Sequence, residues 1–144
     1  MSAAPRPSIE AVGAICAATM GITVAEMVAQ DRTRKVSGRR YVVAAMMRRW
    51  TDASMPAIAA ALGMRSHHSV GYGCCQVRER LAHQDPVTTA AFTRCDREIQ
   101  TTYRAAKPKA VWSTGFTIDV EDRRRRSREH HARRRAALAA KAAG

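Results

Sequence analysis

Aromatic and acidic residues are scarce in this chain. Only 5% of its 144 residues are aromatic, and 12 Asp and Glu stand against 25 Lys and Arg. Proteins that bind single-stranded nucleic acid stack the bases on exposed aromatic side chains, so the shortage of aromatics disfavours that class. The basic excess gives a formal net charge of +13, which favours a polyanionic partner such as nucleic acid.

Long apolar segments and nucleotide-binding motifs are missing as well. No run of about 18 apolar residues occurs, so no membrane span and no membrane partner are expected. The start, MSAAPRPSIE, lacks the apolar core of a secretory signal, and the four cysteines show no framework spacing. Both features predict a cytoplasmic protein with reduced thiols. Because no G-x-x-x-x-G-K-[ST] motif is present, neither ATP binding nor another cofactor is expected.

What is present is helical periodicity. Apolar residues recur at helical spacing from Ile9 to Tyr103, and no segment alternates with a period of two. We therefore expect an all-α helical bundle. Cap residues and apolar stripes predict helices at about 9–20, 24–29, 39–50, 55–62, 66–82 and 88–105. The third of these has a buried stripe of Val42, Val43, Met46, Met47 and Trp50, with Arg48 and Arg49 toward solvent, and it follows a predicted basic loop over 30–40.

The composition changes at Lys107. Residues 107–144 carry a net +7 and are rich in Arg and Ala, whereas residues 8–106 hold the periodic helices. We therefore predict a domain over 8–106 and a basic tail over 107–144, linker-like at first and then helical. Such a tail is expected to add phosphate contacts without sequence information, or to contact a protein partner.

The stretch from Ser54 to Ala82 has the pattern of a helix-turn-helix. A short helix is followed by a turn at Gly63 and by a longer helix whose first turn is polar. Ala59 and Gly63 suit a close approach of the two helices. Residues 65–69, RSHHS, all carry hydrogen-bonding side chains and precede the buried Val70, which is expected if the helix start faces DNA bases.

Three runs in this order, RTR, TDASMPAIA and GMRSHHSVGY, resemble the C-terminal DNA-binding domain of the bacterial replication initiator DnaA. The resemblance covers about residues 8–84 and implies a helix-turn-helix of the Trp-repressor and DnaA type. It also implies a stand-alone binding domain, because the initiator's ATPase has no counterpart in these residues.

The resemblance further implies which residues bind DNA. Arg32 matches an arginine that enters the minor groove, and three neighbouring basic residues match positions that contact the DNA backbone: Arg34, Lys35 and Arg40. The recognition helix would read the major groove with Arg65, Ser66, His67, His68, Ser69 and Tyr72. Ser66, His68 and Tyr72 differ from the family's aspartate, threonine and histidine. These differences predict that the recognised DNA sequence differs from the family's usual one.

We therefore expect a sequence-specific double-stranded DNA-binding protein, associated with the nucleoid, that regulates replication initiation or transcription and is not an enzyme. The alternative is a nucleic-acid binder, for DNA or RNA, that is driven by the tail without sequence preference. A zinc site at His67, His68, Cys74 and Cys75 is disfavoured, since adjacent cysteines on a helix point about 100° apart and Cys74 is needed in the core. No metal ligand and no catalytic residue are expected.

Overall fold

The computed structural model describes residues 5–29, 34–111 and 120–143, with the backbone alone for 34–37 and 120–123. Every regular element in these ranges is a helix, which confirms the all-α prediction. The helices are α1 (Ile9–Met20), α2 (Val24–Val28), α3 (Arg34–Trp50), α4 (Met55–Ala61), α5 (His67–Ala82), α6 (Pro86–Thr102) and α7 (Val120–Ala143). They divide into two units, Met1–Ser113 with α1–α6 and Thr114–Gly144 with α7.

Side-chain caps begin most of the helices in the first unit. The Ser8 hydroxyl accepts from the Ala11 amide at 3.1 Å, and Ser54 caps α4 in the same way. Thr23 and Glu26 form a reciprocal capping box on α2, with bonds of 3.0 and 3.3 Å. Each cap satisfies an amide that the first turn of a helix leaves without a partner. The helix starts predicted from these residues are confirmed.

The core is built around α3. Residues 42–47 and Trp50 are each at most 2% exposed, so this helix is surrounded by protein for almost two turns. Helices α1, α2, α4, α5 and α6 all pack against it. The predicted stripe is confirmed, and Ala44 and Ala45 widen it. A helical segment that is apolar on every side, as residues 42–47 are, has to lie inside the bundle, because no face of it can be left to water.

The helix predicted at 39–50 begins earlier than expected, because residues 34–38 of the predicted loop form the first turns of α3. Arg and Lys are good helix formers, but a charged segment carries no apolar period that would mark it as helical. Gly38, which suggested a loop, lies inside the helix. A Cβ at this position would come within 3.2 Å of Nη1 of Arg80, so the glycine makes room for an α5 side chain.

Arg49 was predicted to face solvent, but it is half-buried in a polar network under α6. Its Nε donates to Oδ1 of Asp96 at 2.7 Å, and the indole Nε1 of Trp50 donates to the same oxygen at 2.8 Å. Trp50 is completely buried, so Asp96 supplies the acceptor that its N–H needs inside the core. The network joins the end of α3 to the middle of α6.

The chain after α6 packs on the first unit instead of leaving it at 106. The backbone amide of Lys109 donates to the Arg49 carbonyl at 2.7 Å, and its Nζ donates to the Thr51 carbonyl at 3.0 Å. Val111 is buried. The predicted division between 106 and 107 therefore falls within a packed segment. No helix in the described ranges is long and apolar enough to cross a membrane.

The Asp96 network gives a stability prediction. Asp96→Ala should lower the free energy of unfolding by about 2–3 kcal/mol, because it leaves the buried Trp50 N–H without an acceptor. Asp96→Asn should cost less, since an amide oxygen can still accept from the indole. Urea unfolding of the full chain measures both changes.

The matched control is Asp52→Ala, which removes ion pairs to Arg6 and Lys109 at a side chain that is 73% exposed. Pairs made by a largely exposed carboxylate contribute little, so this variant should lose less than about 1 kcal/mol. Equal losses for Asp96→Ala and Asp52→Ala would contradict the assignment of the network to the core.

Candidate nucleic-acid interface

The turn between α4 and α5 depends on Gly63. Its φ of +63° lies in the left-handed region, and the Met64 amide donates back to the Ala59 carbonyl at 2.8 Å. A Cβ on Gly63 would lie 2.6 Å from the carbonyl oxygen of Val28, the last residue of α2. Only glycine combines this backbone conformation with such a close neighbour. The turn therefore sets the angle between α4 and α5 and packs against the end of α2.

The first turn of α5 is sharply divided between solvent and core. Arg65, His67 and His68 are exposed and Ser66 and Ser69 are half-buried, whereas Val70 is completely buried. The Ser66 side chain makes no capping hydrogen bond, so it does not satisfy the first-turn amides. The amides of an uncapped helix start can bind an anionic group such as a phosphate by donating hydrogen bonds to it. The structure thus brings together five of the predicted DNA-binding residues.

Tyr72, the sixth predicted residue on α5, is 54% exposed and packs against Tyr41 of α3. The two ring centroids are 5.9 Å apart and the ring planes meet at 81°, an edge-to-face pair. A Cβ on Gly73 would lie only 2.5 Å from Cδ1 of Tyr41, so the ring rests directly on the α5 backbone. Tyr41 therefore determines where the Tyr72 ring can lie. Sequence reasoning missed Tyr41; a glycine inside a helix was its one available signal.

The basic segment over residues 30–40 is only partly described. Arg32 lies outside the described residues, and Arg34 and Lys35 belong to the first turn of α3, where the backbone alone is described. Arg40 is described and half-buried. Its guanidinium donates to the carbonyl of Met27 at 3.0 Å and to that of Ala29, so it caps the C-terminal end of α2.

The cysteines have structural positions. Cys16 and Cys95 are completely buried where α1 and α6 meet, and the contact with the Cys95 thiol, together with burial, raises the pKa of Cys16. Burial also raises the pKa of the Cys74 thiol. Metal ions and electrophiles react with thiolates, which the surroundings of Cys16 and Cys74 disfavour, whereas the hydrogen bond with Cys16 lowers the pKa of Cys95. Within the described ranges no three His, Cys, Asp or Glu residues are grouped as metal ligands.

Helix α7, in the second unit, presents another basic surface. All its side chains from 124 to 143 are exposed, and they include eight basic residues against the single acid Glu129. Leu138 is its one large apolar side chain in that range. Because alanines and charges surround the helix, α7 has no apolar stripe of the kind that interfacial membrane helices use.

Comparison with known proteins identifies the part of the chain that carries these features. Residues 9–77 match the family model of the bacterial dnaA protein helix-turn-helix. This part of the chain is similar to a DnaA-type helix-turn-helix domain. The match confirms the resemblance predicted from the sequence, and it covers α1–α5 as far as Val77. Helices α6 and α7 lie outside it.

Curated relatives agree with this assignment. Over 76 residues, 53% of this chain, the sequence is 36% identical to the chromosomal replication initiator protein DnaA of Chloroflexus aurantiacus. Over 90 residues, 62% of this chain, it is 32% identical to the protein of the same name from a Synechocystis species. The matched parts are 16% and 20% of those two proteins, so the chain spans about a fifth of the length of its relatives.

The packing of Tyr41 on Gly73 can be tested by stability measurements. Gly73→Ala should lower the free energy of unfolding by about 1–3 kcal/mol, because the new methyl group would overlap the Tyr41 ring. Gly71→Ala, two residues earlier in α5, is the control. Its Cβ would meet only the Met55 methyl at 3.5 Å, so it should raise stability by about 0.5–1 kcal/mol.

Tyr41→Ala in the Gly73→Ala background completes the cycle. The two substitutions should be strongly non-additive, since removing the ring also removes the overlap. Additive losses in urea unfolding would show that the ring does not rest on residue 73.

Proposed function

We propose that this chain binds double-stranded DNA in a sequence-specific manner and regulates replication initiation or transcription. The observation that carries the proposal is the division of α5 into an exposed polar first turn and a buried shaft within a DnaA-type domain. In helix-turn-helix proteins the first residues of the second helix enter the major groove, while the remainder packs on the body. A domain of this type is non-catalytic, and the recognition it supports needs no cofactor.

The side chains on α5 suit base recognition. The Arg65 guanidinium can donate two hydrogen bonds to a guanine, and His67 and His68 can each donate to or accept from a base edge. Ser66 and Ser69 offer hydroxyls at the margin of the same surface. The exposed Tyr72 ring adds an apolar face of the kind that contacts a thymine methyl group.

The basic residues that precede and begin α3 would contact the adjacent minor groove and the DNA backbone. We assign Arg32 to the minor groove, where A·T-rich DNA concentrates negative potential for arginine. Arg34 and Lys35 would bind phosphates beside it. The Arg40 guanidinium donates to two carbonyls at the end of α2. Because a guanidinium has five N–H groups, some of them remain for a phosphate.

The exposed basic surface of α7 favours a second candidate, binding of DNA or RNA without sequence preference. Counterion release makes any such helix bind polyanions, and it gives affinity without specificity. We propose that α7 supplements the domain in this way while the sequence preference resides in α5. Both activities would associate the chain with the nucleoid in the cytoplasm. An acidic protein partner is a further candidate for the same surface.

Selection of random duplex DNA by the full chain tests the proposal. A defined motif should emerge, and His67→Ala or His68→Ala should relax base preference at one or two positions, at a cost of roughly 1–3 kcal/mol each. Arg32→Ala should remove preference for A·T pairs on one side of the motif. His83→Ala, at the exposed far end of α5, is the control and should leave the motif unchanged.

Enrichment of no motif would contradict sequence-specific binding. A motif related to the sites of DnaA relatives would favour replication control, and an unrelated motif would favour a separate regulator.

The role of α7 is tested by replacing Arg124, Arg125, Arg126 and Arg128 with Gln in the full chain. This variant should select the same motif but bind every duplex more weakly. The slope of log affinity against log salt should fall by about 0.9 for each phosphate that the variant no longer neutralises. Loss of the motif itself would support the second candidate, because sequence preference would then depend on α7.

A further inference from the structure

A cleft of about 490 Å³ opens between the first turns of α3, the last turns of α5 and the start of α6. Val42 forms its buried floor, and Val87, which is 78% exposed, stands at its edge. The polar lining consists of Arg39 from α3, Arg80 from α5 and Asp85 at the start of α6. None of these residues was predicted to bind DNA.

The two arginines are available to a ligand. Both are half-buried, and in the described part of the chain neither guanidinium has a hydrogen bond or an ion pair, although the charge of Arg80 contributes to lowering the pKa of Asp85. Gly38 allows Arg80 to lie against α3, since a Cβ there would come within 3.2 Å of Nη1. The Asp85 carboxylate accepts from the Thr88 amide at 2.9 Å as the N-cap of α6. It lowers the local charge without pairing directly with either arginine.

The cleft lies between the two parts of the proposed DNA surface. Along α3, Arg39 is about 6 Å beyond Lys35, which is assigned to the minor-groove side, and about 3 Å before Tyr41. Tyr41 contacts Tyr72, which is assigned to the major-groove side. In duplex DNA a sugar-phosphate strand separates adjacent major and minor grooves. A residue between the two groups would face that strand.

We propose that Arg39 and Arg80 bind a phosphate of the DNA strand that separates the two grooves, an inference that rests on the proposed function. Arginine forms a planar fork that matches phosphate oxygens with two parallel hydrogen bonds. Two such groups in one cleft would fix the register of α5 along the duplex, because phosphate contacts set position while base contacts set sequence. Val42 and Val87 would face the deoxyribose.

A duplex phosphate fits the surroundings better than an acidic peptide does. The cleft opens at the start of α3, and Tyr41, two residues after Arg39, contacts Tyr72 of α5, so the cleft is next to both parts of the proposed interface. A bound strand would use that whole surface, whereas a peptide in the cleft would leave most of it without a ligand.

The experiment compares three changes in the full chain. Arg39→Ala with Arg80→Ala should weaken binding equally on the selected duplex and on a shuffled duplex, and should reduce the salt slope by about 0.9, the value for one phosphate. Arg94→Ala with Arg97→Ala, exposed on α6 and outside the cleft, is the matched control and should leave the slope unchanged. Asp85→Asn keeps an effective N-cap but removes the negative charge, so binding should become roughly two- to fivefold tighter.

Single methylphosphonate substitutions along the selected duplex locate the bound phosphate. With the unmodified chain, neutralising one or two phosphates between the major-groove bases and the A·T flank should reduce affinity. The double cleft variant should be insensitive at those phosphates and normally sensitive elsewhere. An unchanged salt slope, an equal fall in the control, or an unchanged methylphosphonate profile would overturn the proposal.

Inorganic phosphate tests whether the cleft binds a free anion instead of a phosphate of DNA. Saturable shifts of the Arg39 and Arg80 side-chain NMR signals with inorganic phosphate, combined with normal duplex binding by the double variant, would overturn the DNA assignment in favour of a free anion. Failure of the proposed function is distinguished separately, because it would appear as equal affinity of the unmodified chain for selected and shuffled duplexes.

Discussion

The burial of α3 is the constraint on which the rest of the first unit depends. A helix whose residues 42–47 are almost wholly inaccessible needs a neighbour on each side, and five other helices supply them. Their placement leaves the first turn of α5 outside the core while Val70 and Val77 complete it. The exposed surface proposed for DNA is therefore a product of packing, since α5 has to present its start to solvent in order to bury its shaft.

Polar side chains then fix the relative positions of helices that apolar contacts alone would leave adjustable. Asp96 joins Trp50 and Arg49 to α6, Arg40 holds the carbonyl end of α2, and Nζ of Lys109 holds the Thr51 carbonyl next to the end of α3. Each uses charge-assisted bonds, which are stronger and more directional than apolar contacts. Recognition of bases needs side chains held to within a fraction of an ångström, so a rigid support of this kind suits the proposed function.

The sequence was most informative where local chemistry decides structure. Ser8, Thr23 and Ser54 predicted helix starts because a cap involves only neighbouring residues, and the stripe of α3 predicted the core. Prediction from the sequence failed at residues 34–38, where charged helix formers carry no apolar period. It also missed Tyr41, Arg39 and Arg80, whose roles depend on contacts between helices. The resemblance supplied the positions on α5 that are proposed to face DNA, but it could not show that Arg40 caps α2.

The shared carboxylate of Asp52 has a topological consequence. Arg6 near the beginning of the first unit and Lys109 near its end both reach Oδ1 of this one side chain, at 3.3 and 2.7 Å. The backbone thus enters and leaves the α1–α6 unit at neighbouring points. Under tension applied between these two points, the ion pairs at Asp52 would carry the load first. The helices would be pulled from one end of the unit and would not be stretched along their length.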